Sequence, residues 1–265
     1  MRRCCHWLPA SARSPSRRLS RWSPGKSASP TPCCRSRCWP SPRIWRSNLM
    51  GACVYGAMIG SIAFLPIFLQ AVRGLSPGQA GLVLLPLSVG GALGAVISGR
   101  LMLRTGRGML WPRIGLSVAA TMLVVIGTVA EFAPIWLMPI LLGLTATGFG
   151  TSFPVGQTTV QVAAGPARLG AAAASVQFSR NLGAATGTAI LGAVLFGGLA
   201  LAGGEVAAMF ARVIAVPGIV TSLAPADALA LRHALVGAFS ALFYTASAFT
   251  VAGAVLASRV PLQRF

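Results

Sequence analysis

Arg180 stands out because it is a charged residue well inside a long apolar stretch of the chain. It lies in the segment QFSRNLGAATGTAILGAVL, with Gln177 one helical turn earlier and Asn181 directly after it. A charged side chain at the centre of a bilayer costs at least about 2.5 kcal/mol on insertion scales, so we expect Arg180 to face a cavity or a partner. Two roles stay open: contact with a bound molecule in a cavity, or hydrogen bonds to backbone carbonyls near a helix end.

Amide and aromatic side chains in other apolar stretches are weaker candidates for the same kind of site. Gln157 and Gln161 stand one helical turn apart, and Tyr55 and Gln70 belong to an earlier stretch. Each of these side chains could contact a bound molecule. Alternatively, they make interhelical hydrogen bonds, which are worth about 0.6 kcal/mol each.

The residue types that enzymes and metal sites need are scarce. The chain contains only two histidines and three acidic residues, Glu131, Glu205 and Asp227. This leaves little material for acid–base catalysis. A zinc site at Cys33, Cys34, Cys38 and His6 is disfavoured because paired Cys-x2-Cys knuckles are missing. We therefore predict no catalytic residue, no metal and no cofactor, and the chain is not expected to be an enzyme.

The composition points to a lipid bilayer as the surrounding medium. Of the 265 residues, 55% are hydrophobic and 9% charged, against about 25% charged in a typical soluble domain. The net charge of +19 superficially suggests a nucleic-acid partner. However, eleven of the 22 basic residues lie at or before Arg46, and most of the others sit between apolar runs. We therefore predict a membrane protein that binds no nucleic acid.

Six apolar runs are long enough to cross about 30 Å of hydrocarbon, which takes roughly 20 residues. They predict an all-α membrane domain over residues 43–265, with spans near 48–72, 78–103, 110–130, 134–160, 171–201 and 230–258. Between the fifth and sixth spans, residues 206–216 could form an interfacial helix.

Residues 1–42 differ from the rest because they are rich in Arg, Ser, Pro, Cys and Trp and have no apolar periodicity. A secretory signal would need an apolar stretch of about 7–15 residues, and the repeated prolines disrupt the amphipathic helix of a mitochondrial presequence. A disordered basic tail is one interpretation. We favour another, translation of a GC-rich gene in the wrong frame, which sequencing of the gene would test.

The loop around SGRLMLRTGRGMLWPR concentrates four arginines between the second and third spans. With six spans, both ends of the membrane domain lie on one side, which the positive-inside rule predicts to be cytoplasmic. The basic residues on that side are Arg43, Arg46, Arg100, Arg104, Arg107, Arg113, Arg168, Arg259 and Arg264, against Arg73, Arg212 and Arg232 on the other.

Small residues recur four apart at Gly56 and Gly60, at Gly90 and Gly94, and at Gly183 and Gly187. Such pairs let helix backbones approach closely within a membrane, where the usual hydrophobic drive between helices is absent. We therefore expect these glycines to serve helix packing.

Several of these segments resemble the major facilitator superfamily. Gly99, Leu101, Arg104, Gly106 and Arg107 match its loop signature Gly-x-Leu-x-Asp-Arg-x-Gly-Arg, but Leu103 replaces the aspartate. The stretches FLPIFLQAVRGLSPGQAGLVLLPLSVG, QFSRNLGAATGTAILGAVL and HALVGAFSALFYTASAF are similar to the C-terminal half of fourteen-helix drug/proton antiporters of the EmrB/QacA type. The resemblance extends from about Ile44 to the C-terminus.

This resemblance implies one six-helix half of a transporter that alternates access by rocking around a central site. The expected activity is multidrug or small-molecule efflux by proton antiport in the bacterial inner membrane. The missing N-terminal half would be a partner, and the first and fourth spans would line the cavity. Because no Asp or Glu lies within a predicted span, an alternative is a non-functional or interaction-only fragment.

The resemblance leaves two interpretations of the loop arginines. Arg104 and Arg107 could pair with helix C-termini or with acids of the missing half and so stabilise one conformation. Alternatively, they only orient the protein by attraction to an anionic membrane face.

Overall fold

The chain is seen in a computed structural model that describes residues 42–106, 108–129, 132, 134–203 and 225–259. Within those ranges every regular element is a helix, which confirms the all-α prediction. The elements are α1 (Pro42–Ala71), α2 (Pro77–Thr105), α3 (Leu110–Val129), α4 (Leu137–Gly150), α5 (Ser152–Ala164), a 3-10 turn (Pro166–Arg168), α6 (Leu169–Ala202) and α7 (Pro225–Ser258).

The described helices provide six segments that are long and apolar enough to cross a membrane, as predicted. They are Ile44–Ala71, Pro77–Thr105, Leu110–Val129, Leu137–Ala164, Pro166–Leu201 and Arg232–Ser258. α1 begins at Pro42, six residues before the expected start of the first span. The difference arises because hydropathy marks the bilayer crossing, whereas arginine is a good helix former that continues the helix beyond it. The residues proposed for the interfacial helix, 206–216, and those of the basic segment, 1–41, lie outside the described residues.

The fourth span is two helices rather than the single helix expected over 134–160. α4 ends at Gly150 and α5 begins at Ser152, with Thr151 between them. Pro154 has no N–H to donate to the carbonyl of Gly150, so one helical hydrogen bond is lost at this point. The Thr151 hydroxyl donates to the Gly148 carbonyl at 2.7 Å, and the Ser152 hydroxyl donates to the Phe149 carbonyl at 2.7 Å. Both hydroxyls therefore bond to carbonyls in the last turn of α4.

The helices pack in pairs, with the most extensive contacts between α1 and α6, between α2 and α4, and between α3 and α7. Glycines lie at the first two of these contacts, as the sequence predicted. A Cβ added to Gly183 would overlap the backbone of Ala52, and one added to Gly187 would overlap that of Gly56. The predicted packing role of these glycines is therefore confirmed.

Apolar side chains fill the interior of the bundle and also cover much of its surface. Inside, Phe68 of α1 meets Phe239 and Phe243 of α7 edge-on, with ring centroids 5.1 and 5.9 Å apart. Outside, α2 exposes a row of large side chains: Leu82, Leu85, Val89, Leu93 and Val96. α2 and α6 are the least buried of the six spans. An apolar exterior of this kind is suited to contact with lipid or with further helices.

Candidate functional site

Arg180 lies where α1, α5 and α6 meet, and it is held by aromatic rings and one backbone carbonyl. Its Nη2 donates to the carbonyl oxygen of Phe153 at 3.0 Å. Its guanidinium carbon is 5.1 Å from the ring centroid of Tyr55 and 5.8 Å from that of Phe153. The two rings are themselves in contact, with centroids 5.2 Å apart. Cation–π attraction of this kind stabilises a desolvated guanidinium. We call Arg180, Tyr55 and Phe153 the cation–aromatic cluster.

Sequence and packing both explain why Arg180 reaches Tyr55. α1 and α6 run in the same direction and approach closely at Gly183, less than one turn after Arg180. A Cβ added to Gly51, one turn before Tyr55, would lie 3.9 Å from Cγ of Arg180. The small residues of the two helices therefore place the arginine stem against α1.

Two polar atoms near this contact are buried and have no hydrogen-bond partner among the described residues: Nε of Arg180 and Oδ1 of Asn48. The Asn48 amide nitrogen donates to the Ser175 hydroxyl at 3.4 Å, so only its carbonyl oxygen is unsatisfied. Buried polar groups are nearly always paired in folded proteins. One unpaired donor and one unpaired acceptor on adjacent turns of α6 and α1 are therefore a notable departure.

The spans around the cluster contain no carboxylate side chain to balance its charge. None of the six spans contains an Asp or Glu, since the three acids are Glu131, Glu205 and Asp227. A cation held within a span with no acidic partner in the spans is costly unless a cavity, water or a bound group compensates it. This is the electrostatic feature that makes Arg180 the centre of the candidate site.

The other predicted residues are only partly brought together with Arg180. Gln177 and Asn181 are exposed on α6 and bond to each other, with Nε2 of Gln177 3.1 Å from Oδ1 of Asn181. Gln157 and Gln161 are half-buried on α5, one and two turns beyond Phe153.

Gln70 is separated from the cluster by the length of α1. It is half-buried near the last turn of that helix, fifteen residues after Tyr55. At a rise of about 1.5 Å per residue, the two side chains are about 22 Å apart along the axis.

Two members of the site were missed from the sequence alone, Phe153 and Asn48. Phe153 precedes Pro154, at the start of the helix that follows the break in the fourth span. A search for carbonyl or aromatic partners of Arg180 among residues next to in-span prolines would have pointed to it. Asn48 lay at the predicted edge of the first span, and nothing in its local sequence linked it to α6.

The loop motif ends α2 and turns the chain toward α3. Gly106 adopts a left-handed conformation, with φ 64°, and its N–H bonds to the Met102 carbonyl at 3.0 Å. The Thr105 hydroxyl donates to the Leu101 carbonyl at 2.7 Å. Gly99 has open space around it, Leu103 is 87% exposed and Arg104 is exposed. Arg107 lies outside the described residues.

Within the described residues, Arg113 and Arg46 bind a helix C-terminus, a role that the sequence suggested for Arg104 and Arg107. Arg113 Nε donates to the Ala257 carbonyl at 3.1 Å, and its Nη2 donates to the Ser258 carbonyl at 2.9 Å. Arg46 Nη1 donates to the Arg259 carbonyl at 3.1 Å. The last carbonyls of α7, which no helical N–H can reach, are satisfied in this way.

Taken together, six apolar spans, an interrupted fourth span and a cation inside the bundle are features of a helical membrane protein. The model of the Major Facilitator Superfamily matches residues 4–188, which is more than half of the chain. The chain therefore belongs to the Major Facilitator Superfamily. It is a multi-pass protein of the plasma membrane, and lipid is its surrounding partner.

Similar proteins include transporters and resistance proteins. An uncharacterized MFS-type transporter of Mycobacterium tuberculosis is 30% identical over 228 residues, which cover 82% of this chain and 33% of that protein. A tetracycline resistance determinant of Streptomyces rimosus is 32% identical over 139 residues, 52% of this chain and 40% of that protein. The methylenomycin A resistance protein of Streptomyces coelicolor is 31% identical over 155 residues, 58% of this chain and 32% of that protein. The matched regions thus span only about a third of these relatives.

Proposed function

We propose that this chain supplies the C-terminal six-span bundle of a drug or small-molecule efflux transporter driven by proton antiport. The names of the Streptomyces relatives, a tetracycline resistance determinant and a methylenomycin A resistance protein, support antibiotics as the substrate class. The exposed apolar faces of α2 and α6 suit contact with a second bundle as well as with lipid. The end of the bundle that carries Arg46 and Arg259 is proposed to be cytoplasmic, in a bacterial inner membrane.

The observation that carries this proposal is the cation–aromatic cluster. A guanidinium beside two contacting rings would offer a substrate one positive charge and flat apolar surface at the same place. Such a combination binds many small aromatic or polar molecules without requiring one shape, as an efflux site must. Gln157 and Gln161 on the same helix as Phe153 are proposed to extend this wall, with weaker parts for Gln70, Gln177 and Asn181.

Proton coupling needs groups that this bundle does not provide. Because none of the six spans contains an acidic residue, the proton-carrying carboxylates are proposed to belong to the first bundle. The chain by itself is then expected to insert into the membrane but not to export a drug. An interaction-only membrane fragment is the competing proposal, supported by the same lack of acids.

The experiment compares the chain alone with a joined protein. The full chain is produced in a drug-sensitive bacterium by itself, and also fused behind the part of the Mycobacterium tuberculosis relative that precedes the matched region. Accumulation of tetracycline and of a fluorescent dye is measured, with membrane levels checked by immunoblot. We expect export by the joined protein only. Export by the chain alone would show that it is not half of a transporter, and no export by a well-inserted joined protein would favour the fragment.

Variants of Arg180 then test the site within the joined protein. Arg180→Ala removes the charge and the ring contacts, and we expect it to reduce export at least about tenfold, which corresponds to about 1.4 kcal/mol. Arg180→Lys keeps the charge but loses the planar stacking group, so an intermediate loss is expected. Arg232→Ala, an exposed arginine of α7, is the matched control and should leave export unchanged. Full export by Arg180→Ala at normal protein level would reduce Arg180 to a packing role.

A further inference from the structure

The cation–aromatic cluster carries its positive charge among helices that contain no acidic residue. α1, α5 and α6, which form the cluster, are without Asp and Glu. α7 packs against α1 and α6, and its last turn meets the start of α1, where Arg46 donates to the Arg259 carbonyl. Its acidic residue, Asp227, is in the first turn instead. At a rise of about 1.5 Å per residue, Asp227 is about 35 Å from the level of Tyr55.

The guanidinium of Arg180 is also short of hydrogen-bond acceptors. It donates from Nη2 to the Phe153 carbonyl at 3.0 Å, and a guanidinium has five N–H groups to donate. Nε is buried and has no partner in the described part of the chain. The rings of Tyr55 and Phe153 attract the cation but carry no formal negative charge. An anion would compensate the charge and accept further N–H bonds, which the two rings do not.

We propose that the cation–aromatic cluster selects small aromatic molecules that carry a carboxylate or another anionic group, and that it excludes aromatic cations. This inference rests on the proposed function, because it names the substrate class of the same site. Arg180, Tyr55 and Phe153 are all half-buried, so each keeps some accessible surface. The anionic group would accept charge-assisted bonds from the guanidinium while the ring of the molecule packs on the two aromatic side chains.

Exclusion of cations follows from the same electrostatics. A cationic molecule on the two rings would lie beside the guanidinium of Arg180, and like charges repel more strongly in a partly desolvated site than in water. The rings alone would attract a cation, so the arginine decides the sign of the charge that the site accepts.

Binding is measured on the purified full chain in a neutral detergent, by fluorescence anisotropy of two dyes that share the xanthene ring system. Fluorescein carries a carboxylate and is anionic, whereas a rhodamine ester is cationic. We expect fluorescein to bind at least about tenfold more tightly, which corresponds to about 1.4 kcal/mol. Equal affinity for the two dyes, or tighter binding of the rhodamine ester, would overturn the proposal without any variant.

Variants then locate the fluorescein site, because other basic residues of the chain also attract an anion. Arg180→Gln removes the charge and should weaken fluorescein binding about tenfold, with the rhodamine ester bound as before or more tightly. Arg232→Gln, the same charge change at an exposed position of α7, should bind fluorescein as the unmodified chain does. Equal weakening by both variants would assign the binding to overall charge and overturn the proposal.

Tyr55→Leu tests the same site with the charge retained, and it serves if Arg180→Gln does not fold. Loss of one ring should weaken fluorescein binding about threefold, as expected for an aromatic contact. Tyr244→Leu, at an exposed tyrosine of α7, is the matched control and should bind fluorescein normally. Unchanged fluorescein binding by Tyr55→Leu would place the dye elsewhere and overturn the proposal.

Export by the joined protein separates this inference from the proposed function. We expect export of fluorescein and not of the rhodamine ester. Export of the rhodamine ester as well as or better than fluorescein would overturn the selection of anions and leave the proposed function standing. If fluorescein binding depends on Arg180 but a well-inserted joined protein exports neither dye, the proposed function fails and the selection of anions stands.

Discussion

Arg113 and Arg180 place the same side chain in two different settings. Arg113 stands at a helix end and donates from Nε and Nη2 to the two carbonyls at the end of α7. Arg180 is inside the bundle, donates from Nη2 to Phe153, and has a buried Nε without a partner among the described residues. The Arg113 guanidinium donates to carbonyls at a helix end, whereas the Arg180 guanidinium keeps a buried N–H group without an acceptor among the described residues.

The difference follows from where backbone acceptors are available. The last four carbonyls of a helix have no intrahelical partner, so an arginine there lowers the free energy of the fold without any ligand. In the middle of a span nearly all carbonyls are already used by helical N–H groups, and Arg180 donates to one of these, the carbonyl of Phe153 near the start of α5. An arginine kept in such a place costs stability and is therefore a candidate for binding something other than protein.

The largest loss of stability and of drug export is expected from a substitution at another residue that displaces Arg180. Gly183→Ala adds a methyl group that overlaps the backbone of Ala52, so α6 must withdraw from α1. Overpacking of this kind costs up to about 3 kcal/mol. Arg180 would lose its contact with Tyr55 at the same time. Thermal unfolding of the purified protein and drug export by the joined protein should both decline.

Gly197→Ala is the matched control, on the same helix with open space around the added methyl. It should leave stability unchanged or raise it by up to about 1 kcal/mol, since alanine is the better helix former. Equal melting of the two variants would mean that the close approach of α1 and α6 does not position the cation–aromatic cluster.

A smaller loss of stability is expected when Arg113, which donates to the carbonyls at the end of α7, is replaced. Arg113→Ala removes two charge-assisted hydrogen bonds to α7, of which one is exposed, and we expect a loss of about 1–2 kcal/mol of stability. Arg104→Ala, at an exposed position in the last turn of α2, should change stability by less than about 0.5 kcal/mol. Thermal unfolding in one lipid mixture measures both. Equal losses would remove the distinction between a capping arginine and a loop arginine.

The fold was largely predictable because a bilayer restricts what the chain can do. Apolar runs of about 20 residues must become spanning helices there. The glycine pairs predicted close helix contacts, and those contacts occur at Gly56, Gly90, Gly94, Gly183 and Gly187. The break after Gly150 was missed because prolines occur within intact helices of this chain as well, at Pro66 and Pro86.

The site was less predictable because it depends on how helices face each other. Hydropathy singled out Arg180 as a costly charge, and Tyr55 was already a candidate for the same wall. The rotation of α6 decides that Arg180 points inward while Gln177 and Asn181 are exposed, and periodicity is weak on a helix that is apolar on every side. Whether the predicted polar residues bind a substrate stays a prediction until the Arg180 variants are measured.

The smallest effect is expected at Ser61, an uncharged residue that, like Arg180 with its Nε, has a buried polar atom without a partner among the described residues. Ser61 is 8% exposed and lies beside a small apolar cavity lined by Leu65, Phe149 and Phe243. If the hydroxyl has no function, Ser61→Ala removes a desolvated polar group and raises stability by about 1 kcal/mol, with export unchanged. A loss of stability or export would instead mean that the hydroxyl has a partner, such as water or substrate, in the membrane. An unpaired polar group would then mark a binding position in this bundle even when it carries no charge.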